Sequence, residues 1–273
     1  MHRLMHRLMH RLLHTFPVAA LAAAVWAGSA SAQAPLGVFA GKWAEVGATA
    51  HSVSNDLGDW RGVYVRTVTP VGETNVFWAE VFALEAFGAR GVQVALAHRH
   101  DWTGRFFHLA GITAADGAPI FPRVRGDVQL GLRLGRARNV VATVGVSHVR
   151  SVDELTDAAF ISSVAWYAPK GFILEGGVRA NTSWPGRIRT ARFTGATTWM
   201  SAKRSLTVRA IGGEEGWQIL SATQSLILFS SNETSLAWRE RVSQSWSTAL
   251  QVDYYTNPTY TRTGVSLGVA RSW

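Results

Sequence analysis

Apolar and polar residues alternate along most of the chain from residue 40 onward, in runs of about 10 to 13 residues. In the segment 124–134, Val, Leu and Gly occupy every even-numbered position, while Arg, Asp and Gln occupy most odd-numbered positions. The segment 172–181 repeats this arrangement. Since successive side chains of a strand point to opposite faces, each run predicts a strand with one apolar face and one polar face.

Clusters of Gly, Asp, Asn, Pro or Lys separate these runs and are typical of turns. The resulting pattern predicts about 14 strands, within a range of 12 to 16, because an even number places both ends of a barrel on one side. The predicted strands are 45–51, 60–71, 75–87, 91–100, 105–112, 124–134, 140–151, 158–168, 172–181, 188–200, 206–213, 234–242, 246–255 and 260–273.

The breaks between strands predict which end of the architecture carries the longer loops. Longer breaks at 152–157, 182–187 and 214–231 are expected to be extracellular loops, and shorter breaks are expected to be periplasmic turns. The apolar stretch 226–229 is assigned to the last of these loops. If it formed a strand, the count would become odd.

Two all-β architectures fit the alternation. In a soluble sandwich the polar face meets water and the apolar face meets a packed core. In a transmembrane barrel the apolar face meets lipid and the polar face meets a lumen. Small residues beside Arg and Glu on the polar faces, an export signal and a terminal Trp273 favour an up-and-down antiparallel transmembrane β-barrel.

The export signal is the N-terminal segment 1–32. It has Arg3, Arg7 and Arg11 without an acidic residue, then an apolar run, then small residues ending at Ala32. These features predict a secretory signal peptide that is cleaved after Ala32, leaving 33–273 as the barrel. The apolar run is about 10 residues, too short for a membrane-spanning helix of roughly 20.

The segment 260–273 is the strand that we expect the barrel insertion machinery to recognise. Its apolar face carries Val265, Leu267, Val269 and Trp273, and is interrupted by Arg271. A terminal amphipathic strand ending in an aromatic residue resembles the last strand of bacterial outer-membrane barrels. We therefore expect the protein to lie in the bacterial outer membrane, in contact with lipid and lipopolysaccharide.

Composition narrows the chemistry further. The chain has no Cys, which excludes disulfides, thiolate metal sites, a Cys nucleophile and a lipoprotein anchor. Removal of the three signal-peptide arginines leaves 24 Lys and Arg against 18 Asp and Glu. This excess indicates either an anionic partner or Arg-rich exposed loops. Export makes lipopolysaccharide phosphate or an acidic polymer the expected anion, and no nucleic-acid partner is expected.

Tryptophans are frequent near the predicted strand ends, at Trp60, Trp102, Trp166, Trp184, Trp217 and Trp246. Indole rings collect at the two membrane interfaces of outer-membrane barrels and form aromatic girdles there. Ordinary Trp residues in a β core are the alternative.

Ionised residues on the polar faces are the candidate functional residues. An Arg or Lys facing the bilayer midplane costs roughly 2 to 4 kcal/mol, so these side chains are expected to line the lumen. They are Glu45, Arg125, Asp127, Arg133, Glu175, Arg179, Arg209, Arg239 and Arg262. They could pair across strands and plug the barrel, or line a wet passage whose Arg excess favours anions.

The sequence contains one candidate pair of metal ligands and one candidate catalytic pair, but it lacks the further residues that a metal site or an active site needs. His98 and His100 share one strand face, but no spacing nominates further metal ligands, so no metal and no cofactor are expected. Ser147 and His148 are adjacent in a strand and point in opposite directions, and no Gly-x-Ser-x-Gly motif occurs. We expect no enzymatic activity.

Several motifs in the last third of the chain resemble the YaiO family of outer-membrane barrels. They are Gly-Gly-Glu-Glu-Gly-Trp at 212–217, Trp238-Arg239, Tyr254-Tyr255 and the segment 260–268. The resemblance implies an outer-membrane barrel. The relation of this family to barrels with tetratricopeptide-repeat arms implies export of an exopolysaccharide.

Three functional hypotheses remain at this point. The first is a channel or secretion barrel for a polar or anionic solute. The second is a non-conducting structural or assembly barrel with a periplasmic scaffold partner. The third is an outer-membrane enzyme that modifies lipid A.

Overall fold

The computed structural model describes residues 41–116, 120–151, 155–220 and 225–273. The expected signal peptide, 1–32, lies outside these residues. Within them, no helix has both the length and the apolar character needed to cross a membrane.

Fourteen antiparallel strands within the described ranges form one closed barrel. They are β1 (Trp43–Val53), β2 (Trp60–Val71), β3 (Asn75–Ala86), β4 (Ala89–Asp101), β5 (Phe106–Ala115), β6 (Val124–Leu134), β7 (Val140–Arg150), β8 (Thr156–Tyr167), β9 (Phe172–Trp184), β10 (Ile188–Met200), β11 (Arg204–Ile219), β12 (Ser225–Arg241), β13 (Trp246–Thr256) and β14 (Thr261–Ser272). Each strand pairs with its neighbours in the sequence, and β1 pairs with β14. The predicted up-and-down barrel of 14 strands is confirmed.

The two ends of the barrel can be told apart by the chain termini. Trp43 pairs with Ser272, so the first and last strands have their terminal residues at one end, which we call the inner end. The opposite, outer end carries the connection 116–123 and the long hairpin of β11 and β12. Because outer-membrane barrels have short periplasmic turns and longer extracellular loops, the outer end corresponds to the extracellular side.

The outward face of the sheet is apolar. Val46 and Leu267 are each 59% exposed and Phe193 is 63% exposed, although all three lie in regular strands. The inward positions between them are mainly small, polar or ionised. A soluble sandwich would bury the apolar face, so this distribution is that of a barrel surrounded by lipid.

The last strand follows the same rule. Val265, Leu267, Val269 and Trp273 face outward, and Arg271 shares their face near the inner end. The guanidinium of Arg271 lies over the ring of Trp246, 5.7 Å from its centroid. An Arg at the membrane boundary can thus keep its charge near water while its stem and an indole cover the apolar surface.

One predicted loop is wrong. The stretch 214–231 was assigned to a loop, but β11 continues to Ile219 and β12 begins at Ser225, with Trp217 paired to Ile227. The stretch 226–229 belongs to β12. The alternation is lost here because apolar residues occupy both faces of the hairpin. Leu220 belongs to a buried apolar cluster against which Leu226 packs, whereas Ile227 is 66% exposed.

The expected contrast between short and long connections is also weaker than predicted. β8 begins at Thr156 and β9 runs to Trp184, so one end of each loop predicted at 152–157 and 182–187 belongs to a strand. The polar residues Asp157 and Ser183 occupy paired strand positions rather than loop positions, and Ser183 is buried. Inward polar residues near a strand end look like loop residues in the sequence.

The lipid-facing assignment predicts a depth-dependent cost of charge on β14. We expect Leu267→Arg to destabilise the folded barrel by about 2 to 4 kcal/mol, because Leu267 lies near the middle of the outward face. The free energy of unfolding can be measured by urea titration in lipid vesicles.

The matched control is Thr263→Arg, which places the same side chain on the same face close to the outer end. Its expected cost is about 0 to 1 kcal/mol. Equal costs at the two positions would contradict the assignment of this face to lipid.

Candidate functional site

Side-chain size divides the barrel interior into two halves. The inward positions of β1 to β3 carry bulky residues, including Trp43, Tyr64, Arg66, Phe82 and Leu84, all buried. The inward positions of β7 to β10 carry small residues, including Gly145, Ser147, Ser163, Gly177 and Thr194. The first half is filled by its own side chains, and the second half leaves space.

A cavity of about 330 Å³ lies mainly in the second half of the interior, and Trp60 and Leu84 of the first half also line it. It begins near the outer end, where Asp157, Asn181 and Trp217 line it, and reaches inward to Glu175. This volume lies at the lower end of the range for small-molecule sites.

A layer of apolar side chains separates the cavity from the inner end. Ile173 lies two residues closer to the inner end than Glu175 on β9, and it packs with Phe107, Val141 and Ala165. We call this cluster the floor. Phe107 covers Gly131, where a Cβ atom would lie only 2.0 Å from the ring.

Two arginines hold Phe107 in place. The guanidinium groups of Arg99 and Arg133 lie 4.2 Å and 5.1 Å from the centroid of the Phe107 ring. Both also bind the carboxylate of Asp101 at 2.9 Å. The predicted inward residue Arg133 thus belongs to the closure of the inner end.

A buried ionic network fills the bulky half. Glu45 accepts hydrogen bonds from Arg239 and from the Tyr64 hydroxyl, the latter at 2.9 Å. Arg66 lies 3.9 Å from Glu45 and 3.0 Å from Glu80. Glu45 and Arg239 were predicted to be inward, and the barrel brings them together from strands that are not neighbours.

A second buried network lies closer to the outer end of the barrel. Its residues belong to β1, β2, β13 and β14. His51 lies 3.2 Å and Arg262 lies 3.6 Å from the carboxylate of Asp253. The Arg262 guanidinium lies over the rings of Trp60, at 4.6 Å, and Tyr255, at 5.1 Å. Arg262 therefore has its charge partly neutralised while also forming part of the cavity wall.

Thr49, His51 and Asp253 are arranged in the order of a nucleophile, a base and an acid. Thr49 Oγ1 lies 3.4 Å from His51 Nδ1, and His51 Nε2 lies 3.2 Å from Asp253 Oδ1. All three side chains are buried, and the cavity wall does not include them. A substrate in the cavity therefore has no contact with this hydroxyl.

The cavity wall carries charges of both signs. Its ionised residues are Arg125, Arg179, Arg192, Arg262, Asp157, Glu175, Glu214, Glu215 and Glu233. The arginines of β6, β9 and β10 and the glutamates of β11 and β12 lie on adjoining parts of the wall. Arg192 and Glu215 are 3.4 Å apart where these parts meet. The expected Arg excess, which would favour anions in general, is not found in this wall.

The remaining predicted residues are placed around this cavity. Arg125 binds Asp127 through two hydrogen bonds of 2.8 and 2.9 Å. Glu175 and Arg209 lie on either side of Ala196 in the strand register and attract each other electrostatically.

Several charged partners were missed by the sequence analysis. They are Arg66, Glu80, Arg99, Asp101, Arg192, Glu215 and Asp253. For most of them the alternation contained the signal, because they lie on the polar faces of predicted strands, and including every ionised residue of those faces would have found them. Asp101 and Glu215 lay outside the predicted strands, so the alternation did not indicate them.

His98 and His100 lie on the outward face of β4, close to the inner end of the barrel. A ring nitrogen of each lies 3.0 Å from Asn75 Oδ1, and His108 lies beside them. Within the described ranges, no group of three or more His, Cys, Asp or Glu residues is placed to hold a metal ion.

The Trp residues fall into two sets. Trp102, Trp166, Trp184 and Trp246 are 39 to 52% exposed near strand ends, as in aromatic girdles. Trp60 and Trp217 instead line the cavity, so their assignment to a girdle is wrong.

Comparison with known proteins places the fold among membrane barrels. The model of the YaiO membrane beta barrel domain matches residues 43–215. The match covers only the start of the C-terminal motifs that carry the sequence resemblance. No curated protein matches the chain significantly.

Solved structures with similar folds include three outer-membrane barrels of different described functions. The CymD monoaromatic hydrocarbon channel has a TM-score of 0.57 at 8% identity, covering 85% of this chain and 88% of that one. A bacterial polysaccharide outer membrane secretin has 0.53 at 8%, covering 85% and 98%. The translocator domain of the autotransporter NalP from Neisseria meningitidis has 0.50 at 14%, covering 92% of each chain. At these identities, the similarity concerns the fold alone.

The buried network predicts a large stability effect at Glu45. We expect Glu45→Gln to destabilise the barrel by about 3 to 5 kcal/mol, since it leaves Arg239 and Arg66 without their shared carboxylate. Urea unfolding in vesicles measures this change.

The control is Glu85→Gln at the outer end. Glu85 pairs with Arg90 at 3.1 Å, but the two side chains are 46% and 82% exposed. Its expected cost is less than about 1 kcal/mol. Similar costs for the two variants would show that the Glu45 network does not stabilise the interior.

Proposed function

Because the chain belongs to the YaiO membrane β-barrel family and lies in the bacterial outer membrane, we propose that it is a gated channel for a polar solute. The observation that carries this proposal is the polar cavity at the outer end, which a single apolar floor separates from the inner end. The solute occupies the cavity, and displacement of the floor completes the passage. The proposal includes no metal, no cofactor and no enzymatic step.

The cavity wall supports a polar solute rather than a hydrocarbon. The fold relatives include channels or secretins with both kinds of described cargo, so the fold does not decide between them. An apolar solute would remove water from Arg179, Glu175 and Glu233 without replacing their hydrogen bonds, which is costly. A solute with hydroxyl, carboxylate or amine groups can replace them.

A saccharide is the polar solute that we propose. Aromatic rings of Trp217, Phe121 and Tyr255 line the cavity beside carboxylates and amides. Flat apolar surfaces together with a few placed polar groups are typical of sites that orient small molecules. Export of an exopolysaccharide, with a periplasmic scaffold protein as partner, is the specific form of this proposal.

The position of Phe107 supports the floor as the gate. Phe107 is 1% exposed, and its ring is held only by non-covalent contacts with Arg99, Arg133 and the apolar cluster. Movement of this ring would uncover Gly131 and remove one of the four buried side chains of the floor. In the proposed gate, this movement begins the connection of the cavity to the inner end.

The gate predicts that Phe107→Ala raises the single-channel conductance of the purified barrel in planar bilayers. Removal of the ring opens space above Gly131 without adding charge or changing the lipid face. Conductance steps should be larger or more frequent than for the unchanged protein, and added oligosaccharide should reduce them.

Phe193→Ala is the matched control, because it removes the same ring from the lipid-facing surface. It should leave conductance unchanged. A Phe107→Ala barrel that folds but remains electrically silent would overturn the channel proposal. That result would favour the second candidate, a non-conducting structural barrel, which the filled half of the interior also fits.

A further inference from the structure

We infer that Arg179 and Arg192 form an oxyanion-binding site in the cavity, for one carboxylate or phosphate group of the solute. This inference rests on the proposed function only in taking the cavity as the place that the solute occupies. It adds the ionic class of the solute, which the mixed charges of the cavity wall do not define by themselves.

The strand register places the two arginines directly opposite each other. Arg179 of β9 pairs with Arg192 of β10, and both side chains line the cavity. Like charges directly opposite in a sheet repel and destabilise the pair. An anion between the two guanidinium groups would convert this repulsion into attraction.

The protein neutralises this pair only in part. Arg179 donates a hydrogen bond of 3.2 Å to Ser147 Oγ. Arg192 lies 3.4 Å from Glu215, whose carboxylate also accepts hydrogen bonds from Ser231 and Tyr255. Within the described part of the chain, Arg192 Nε and Nη2 are buried atoms without a hydrogen-bond partner. The contacts within the protein therefore leave the donors of this pair only partly satisfied, and a reorientation of the Arg192 side chain would present them to a ligand.

Arg125 differs from this pair although it also lines the cavity. Its two short hydrogen bonds to Asp127 already form a bidentate pair. Arg125 contributes positive potential, because it lies within electrostatic range of Arg179, but its strongest donors are occupied. The ligand is thus expected at Arg179 and Arg192.

Space for the ligand lies beside the pair, toward the floor. Gly177 and Thr194 are the next lumen-facing residues on the two strands toward the inner end, and they pair with each other. Ser163 is opposite Gly177 on β8. These small side chains leave room beside the two arginines, which both line the cavity.

Acidic residues on the neighbouring strands β11 and β12 limit how much negative charge the ligand carries. Glu214 and Glu233 line the cavity, and they would repel a solute with several anionic groups. They can accept hydrogen bonds from hydroxyl or amine groups. A solute with one oxyanion and several hydroxyls, such as a sugar acid or a sugar phosphate, matches both the arginines and the glutamates.

The test is isothermal titration calorimetry of the full detergent-folded barrel with glucuronate, inorganic phosphate and glucose. Glucuronate or phosphate should bind, and glucose should bind at least about tenfold more weakly, because it lacks the charge-assisted hydrogen bonds. The relative affinities of glucuronate and phosphate identify the source of the oxyanion. Equal affinity for glucose and both anions, or no anion binding, would overturn the inference.

Arg179→Gln and Arg192→Gln should each weaken anion binding at least about tenfold. Arg179→Lys keeps the charge and should retain part of the affinity, which separates loss of the site from a general loss of folding. Arg90→Gln removes one exposed positive charge at the outer end and should leave binding unchanged. Wild-type affinity in both Gln variants would contradict the site.

The oxyanion site and the channel fail in different experiments. Loss of anion binding in Arg179→Gln, with a silent Phe107→Ala barrel, would support the site and contradict the channel. Conductance in Phe107→Ala without anion binding to the unchanged protein would support the channel and contradict the site.

Discussion

The structure depends on one constraint: backbone groups that face lipid must find their hydrogen bonds within the protein. An open sheet would expose two edges to hydrocarbon, so β1 and β14 must pair along their length, as they do from Trp43 to Val53. Closure then separates an outer surface from an interior, and the two faces of each strand acquire different solvents. The alternation of the sequence is the direct consequence of this separation.

Closure also places residues together that are far apart in the chain. Arg239, Ala249, Gly268, Gly47 and Tyr64 form one continuous row of register partners across five strands. The three small residues in the middle of this row let Arg239 and Tyr64 reach over them to Glu45. A Cβ atom at Gly268 would lie 2.8 Å from the Glu45 carboxylate, so the network requires glycine there.

The strands and the inward position of the charged residues could be predicted from the sequence because both follow from local alternation. The partners could not, since Glu45 and Arg239 meet only after closure and with a defined register. The same limit applied to the cavity: Gly145, Ser163 and Gly177 leave space only because their strands are neighbours. Local alternation also misled at 214–231, where apolar residues occupy both faces of the hairpin and the two-residue period is absent.

The distribution of side-chain volume explains how one half of the barrel interior is filled while the other contains a cavity. Bulky residues and shared ion pairs fill one half, so the wall there has little freedom to move, whereas small residues in the other half leave the cavity. The floor beneath it combines apolar packing with two guanidinium groups that share the single carboxylate of Asp101. Phe107 lies against both cations, so the two arginines that bind Asp101 also hold this ring in the floor.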